Sequence, residues 1–144
     1  MIEKSVKQPR GIRNNNPLNI RRGSQWKGLK PKQTDPAFCQ FESMQMGIRA
    51  AYRLMRNHIL GFGGTRPRMN TLKKLISVWA PPSENATDKY VRHVSTFTGI
   101  EPNAIIDPND RTSLVNIARE MAFVENGLYL DKSLFESAFD LLVV

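Results

Sequence analysis

Hydrophobic positions along the chain change period at about residue 43. From there Met44, Ile48, Ala51, Tyr52, Met55 and Ile59 share one helical face, and Gly61-Phe62-Gly63-Gly64 closes the run, which predicts a helix over 43–60. Leu72, Leu75, Ile76 and Trp79 predict a second, short helix, with Asn70 or Thr71 as its cap and Pro81-Pro82 as its stop. A third opens at Thr87 or Asp88, turns Tyr90, Val91, Val94 and Phe97 inward and ends near Gly99. Asp107-Pro108 opens a fourth, in which Leu114, Ile117, Met121 and finally Glu125 share a face before Gly127. Asp131 or Ser133 starts the last, with Leu134, Ala138, Leu141 and Leu142 inward. Residues 11–41 read differently: Leu18-Asn19-Ile20 and Phe38-Cys39-Gln40-Phe41 alternate among Gly, Asn and Pro, which predicts a small β-hairpin with a long basic tip. The expected fold is mostly α (α+β), helical with one small hairpin.

Composition sets the scale. At 144 residues and 40% hydrophobic the chain suits one domain with a real core, expected over 11–144 after a mobile N-terminus at 1–10. Cys39 stands alone and His58 and His93 are too few for a zinc triad, so no disulfide, metal or cofactor is expected. No apolar run reaches the ~18 residues of a membrane span, and MIEKSVKQPR lacks the apolar core of a secretory signal. Work outside the cytosol would need another route of delivery.

Twenty-one Lys and Arg against 13 Asp and Glu leave a charge of +8, which favours an anionic partner: nucleic acid, lipid head groups or an acidic cell-wall polymer. Arg10, Arg13, Arg21, Arg22, Lys27, Lys30 and Lys32 crowd the first third, with Trp26 among them. The chain lacks zinc-finger, ribonucleoprotein and leucine-zipper spacing, which argues against nucleic acid.

Glu125 is the most informative residue. It continues the apolar stripe of Leu114, Ile117 and Met121 and sits at a helix C-terminus, where the dipole and partial burial both favour the protonated acid. A general acid for glycosidic cleavage needs that state; the plain alternative is a helix-end Glu turned to solvent. Glu42 is the rival acid, but it lies at a helix N-terminus, where a carboxylate stays ionised and suits capping. Asn14, Asn15 and Asn16 before Pro17 either build a turn or meet substrate. Trp26 either stacks on a sugar or covers the core, and Trp79 reads as core. Arg22 and Lys27 on the hairpin are either solvated or face an anionic glycan. His93 reads as a surface polar residue.

The blocks Arg10-Gly11-Ile12-Arg13-Asn14-Asn15-Asn16-Pro17-Leu18-Asn19-Ile20-Arg21, Trp26-Lys27-Gly28, Phe38 to Phe41, Gly47-Ile48-Arg49-Ala50, Trp79 to Thr87 and Glu125-Asn126-Gly127 resemble a group of small phage and prophage virion proteins. The same blocks are similar to lysozyme-like N-acetylglucosaminidases of flagellar and autolysin type. There an Asn-Asn loop leads into a hairpin with a Thr-acid pair, here Thr34-Asp35, and a later Ala-Thr-Asp-x-x-Tyr block lines the cleft, here Ala86 to Tyr90. That family's Tyr before Ala-Thr-Asp is replaced by Asn85. Its catalytic helix, which ends in Glu before the Asn-Asn loop, has no counterpart at this N-terminus, and Glu125-Asn126-Gly127 looks like that piece moved to the other end by circular permutation.

The resemblance implies a lysozyme-like domain acting on peptidoglycan, with Glu125 as general acid, Asp35 as second carboxylate and Tyr90 on the cleft wall. Asn14 to Asn16, Trp26, Glu84, Asn85, Arg22 and Lys27 would then meet substrate. Muramidase, transglycosylase and glucosaminidase outcomes stay open, and a free Asp35 would favour a hydrolase. The implied partners are glycan strands and other virion proteins, and the implied place is a virion, or host cytoplasm before action at the cell wall. The other readings are an inactive virion protein that binds cell wall and a basic nucleic-acid-binding protein.

Overall fold

Local signals set most helix boundaries in the computed structural model, which describes residues 8–81 and 86–143. The helices are α1 (Arg10–Arg13), α2 (Met44–Ile59), α3 (Gly61–Gly64), α4 (Leu72–Trp79), α5 (Thr87–Thr98), α6 (Arg111–Asn126) and α7 (Lys132–Asp140), followed by a 3-10 turn at Leu141–Val143. The molecule is mainly α. Ser43, Thr71, Asp110 and Asp131 cap α2, α4, α6 and α7, each side chain accepting a backbone N–H of the first turn. Gly99 and Gly127 end α5 and α6 at φ 76° and 75°, a left-handed conformation that costs glycine little.

Several boundaries differ from expectation. Neither Thr87 nor Asp88 caps α5: Ala86 precedes it at φ 62°, and Thr87 Oγ1 instead donates to the Ala80 carbonyl at 2.6 Å, tying α5 to the end of α4. The fourth predicted helix starts at Arg111, because Asp107 Oδ1 accepts the Asn109 N–H and closes a separate turn. Phe97 is 63% exposed and lies against His93 instead of entering the core. Arg10, expected in a mobile tail, is helical and paired with Asp35.

One buried cluster takes Leu18, Ile20, Cys39 and Phe41 from the N-terminal loop together with the inward faces of α2, α4, α5, α6 and α7. α2 packs on α7, α5 on α6, α6 on α7 and α4 on α5. Tyr52 of α2 is fully buried, meets Phe139 edge-on and donates to the Phe135 carbonyl at 2.9 Å, so its one polar atom is satisfied. No helix among the described residues is long and apolar enough to cross a membrane.

The expected β-hairpin is not formed. Over residues 14–41 the ladder is reduced to isolated antiparallel bridges, Arg21 with Phe38 and Leu29 with Phe41. Side-chain amides take backbone partners that a ladder would use. Asn16 Nδ2 donates to the carbonyls of Ile20 and Cys39, and its Oδ1 accepts the Ile20 N–H. Asn15 donates to the Phe41 carbonyl, while the Gln33 side chain donates to the Gln40 carbonyl and accepts the Gln40 N–H. The loop then seats on two glycines. A Cβ on Gly47 would overlap the Asn15 carbonyl oxygen, and one on Gly11 would stand 2.6 Å from Asn126 Oδ1. The glycines of both sequence blocks therefore let α1 and α2 approach the asparagine turn.

Candidate active site

The helical stripe of α6 runs from Leu114 through Ile117 and Met121, all fully buried, and emerges at half-buried Glu125. The next residue, Asn126, turns inward and donates to the Pro17 carbonyl at 2.8 Å, clamping the loop onto the helix end. From the other side Trp79 of α4 donates its indole N–H to the Leu18 carbonyl at 2.8 Å. Held between these clamps, Asn19 adopts φ 52°, which asparagine tolerates better than most side chains, and its Nδ2 donates to Glu125 Oε1 at 2.9 Å. Glu125 thus meets the asparagine loop across 106 positions of sequence.

Tyr90 closes the site from α5. It is 6% exposed, its hydroxyl donates to the Met121 carbonyl at 3.4 Å, and it stands next to Glu125. Burial, then the Glu125 charge, push its phenol well above the usual range. Burial also raises the Glu125 pKa, against the opposing hydrogen bonds of Asn19 and Tyr90. The Asn19 donor, with the Tyr90 phenol alongside, does not offset the lost hydration, so the Glu125 pKa lies above that of a solvated Glu.

Residues on either side of Glu125 line two grooves, although Glu125 itself is on the wall of neither. Its partner Asn19 lines the first, a space of about 240 Å³ with Arg21, Arg22, Trp26, Leu54 and Trp79 on its walls. Tyr90, Val124 and Gly127 line the second, about 340 Å³, with Lys89, His93 and Phe123 further along. Trp79, expected in the core, is half-buried and faces the first groove beside Trp26. Arg22 lines that groove while donating to the Asp35 carbonyl at 3.1 Å, whereas exposed Lys27 is not on its walls. Glu84 and Asn85 lie outside the described residues.

Asp35 departs from its expected role. Its carboxylate accepts Arg10 Nε at 2.7 Å, Arg10 Nη2 at 2.5 Å, Asn14 Nδ2 at 3.0 Å and the backbone N–H groups of Ala37 and Phe38 at 2.9 Å. Arg10, then those backbone and amide donors, hold it far below the usual carboxylate range. A carboxylate with its oxygens so fully engaged organises the loop and has little capacity left to activate a water. The asparagines take the turn-building alternative. Asn14 is 3% exposed and bonded to Asp35 and Gln40, Asn16 is fully buried, and Asn15 sits at φ 51° with its amide on Phe41. Glu42 is exposed, and the cap it was expected to provide comes from Ser43.

Sequence reasoning passed over two groups. Asn19 read only as part of an alternating segment, although an Asn-x-Pro-x-Asn spacing is rich in residues that accept left-handed backbone. Glu120 is 8% exposed, accepts Tyr129 Oη at 2.5 Å and pairs with His93 Nε2 at 2.9 Å. His93 stacks on Phe123, and Phe123 on Tyr129, so this histidine belongs to an ordered aromatic row. No periodic pattern points to that pair.

The geometry describes a mainly helical protein in which one half-buried acid, held by an amide on a folded-over loop, stands between two grooves. No family model matches the chain. Protein P5 of Pseudoalteromonas phage PM2 is 35% identical over 122 residues, which is 82% of this chain and 71% of that protein. The chain belongs to the same family as this phage protein.

Proposed function

We propose that this phage-family protein cleaves the glycan strands of peptidoglycan at a β-1,4 bond, with Glu125 as the acid, on a lysozyme-like arrangement of helices. The observation that carries this is the half-buried Glu125 carboxyl, held by the Asn19 amide between two grooves, with its pKa raised by burial. The meeting of Glu125 with the asparagine loop supports a permuted order of the glucosaminidase blocks. Trp26 and Trp79 offer ring faces to a sugar, and Arg21 and Arg22 offer charge to an anionic strand.

The commitment of Asp35 favours transglycosylation over hydrolysis. Glu125 gives its proton to the departing glycosidic oxygen as the C1–O bond breaks. The carboxylate so formed takes the proton of the same muramic residue's C6 hydroxyl, whose oxygen bonds to C1 and closes an anhydro ring. One carboxyl serves both halves, and no water enters. Association with a virion, and action at the cell wall during entry or release, fit the phage family and the net charge of +8.

Digestion of purified peptidoglycan, with mass analysis of the products, tests the reading. Anhydro-muramic ends are expected. Reducing ends would move the assignment to a hydrolase with a different base. Absence of any soluble fragment, with retained binding to sacculi, would support an inactive cell-wall-binding virion protein, the second reading that the engaged Asp35 favours.

A further inference from the structure

Resting on that reading, we propose that the α4–α5 surface holds a second binding site, for the acidic peptide branches carried by the glycan. Lys73 of α4 and Lys89 and Arg92 of α5 line a groove of about 460 Å³ in which Asp88 is the one acidic wall residue among the described residues. It continues along α5 into a space of about 300 Å³ that shares Lys73, Asp88 and Arg92. Lys89 and Ala86 also line the groove beside Glu125, so the cationic groove and the proposed cleft are one connected surface. A branch leaving a sugar bound near Glu125 therefore has a path into it.

Charge selects the occupant. All three cations are exposed, and none of the ion pairs among the described residues involves them. Lys89 and Arg92 stand three positions apart on one helix, where like charges repel. Like charges so placed gain from an anion. A sugar ring is neutral; the short peptides attached to peptidoglycan carry free carboxylates and reach several residues from the strand. The groove beside Glu125 is the less polar of the two, with Ala80, Tyr90, His93 and Phe123 on its walls, so the carboxylates find their partners further along at Lys73, Lys89 and Arg92.

The test is the surface variant K73Q/R92Q, which leaves the walls of the groove beside Glu125 untouched, compared with wild type on intact peptidoglycan strands and on the same strands stripped of peptides by an amidase. Wild type is expected to cleave the peptide-bearing strands faster by about tenfold at low salt, since each exposed ion pair contributes modestly. The variant should lose that preference and keep the rate on stripped strands. A variant that retained the preference would overturn the site. If neither protein cleaves either strand, the glycan-cleaving reading fails, and a direct measurement still decides the site. In NMR titration of the full chain with a soluble disaccharide-tetrapeptide, the amides of 87–96 should shift in wild type and not in the variant. Shifts confined to other regions, or preferential binding of duplex DNA or anionic vesicles through Lys73 and Arg92, would overturn it.

Discussion

Two carboxyls near the asparagine loop are withdrawn from bulk water and are driven in opposite directions. Asp35 receives the Arg10 guanidinium, two backbone N–H groups and the Asn14 amide, and it stays ionised far below the usual range. Glu125 receives the Asn19 amide and the neighbouring Tyr90 phenol at an apolar helix end, and its pKa rises. Shielding alone does not decide protonation; the supply of donors, and above all a matched cation, does. The first carboxyl therefore belongs to the loop's architecture, and the second is the proton donor of the proposed reaction.

The largest expected effect separates them by activity. Glu125→Gln keeps size and the Asn19 contact but has no proton to give, so glycan cleavage should fall by at least ~10²–10⁴ while urea-unfolding midpoints stay at or above wild type. Asp35→Asn should do the reverse. Without the charge, Arg10 and the turn lose charge-assisted bonds, at a cost of about 1.5–3 kcal/mol in stability, and the folded fraction should keep its turnover. A fully stable but inactive Asp35→Asn protein would return that residue to the chemistry and reverse the assignment.

The pH dependence of stability gives the next contrast, smaller but opposite in sign at the two sites. Asp35 has a depressed folded pKa, so its stabilisation is present above the unfolded value of ~3.9 and is lost as pH falls towards the folded one. Glu125 has a raised folded pKa, so its contribution is complete below the unfolded value of ~4.3 and is lost as pH rises through the folded one. In melting temperatures measured from pH 2 upward, Asp35→Asn should flatten the acid side, and Glu125→Gln should remove a decline that begins above ~4.3. Equal slopes for both variants would show that the two sites do not differ.

The same contrast explains how much could be read from the chain. The helices of α2, α4, α6 and α7 were legible because periodic apolar residues and local caps act over a few positions, and Glu125 was legible as the polar end of such a stripe. The loop was not. Alternation at Leu18-Asn19-Ile20 and Phe38 to Phe41 reads as strand, yet Asn15, Asn16 and Gln33 use side-chain amides on backbone groups where strands would use each other. Asp35 looked like a second acid because its partner Arg10 is 25 positions away, in a segment with no periodic signal. Long-range polar pairing of this kind leaves no trace in spacing.

The smallest expected effect concerns Asn19, the donor that keeps Glu125 from being wholly without a partner. Asn19→Gly removes the amide while accommodating the left-handed backbone at φ 52°, so the loop should keep its path between Asn126 and Trp79. Loss of a hydrogen bond to the charged form leaves burial less opposed, so the Glu125 pKa should rise further. The basic limb of the pH–rate profile should move up by the same amount, and a carboxyl ¹³C titration of the free protein should report it without substrate. Asn19→Asp provides a second test in the same direction, because a negative charge beside Glu125 raises its pKa by repulsion while the left-handed turn is kept. If Asn19→Gly left the titration unmoved, the Tyr90 phenol would be the donor that sets the ionisation of Glu125, and Tyr90→Phe should then produce the shift.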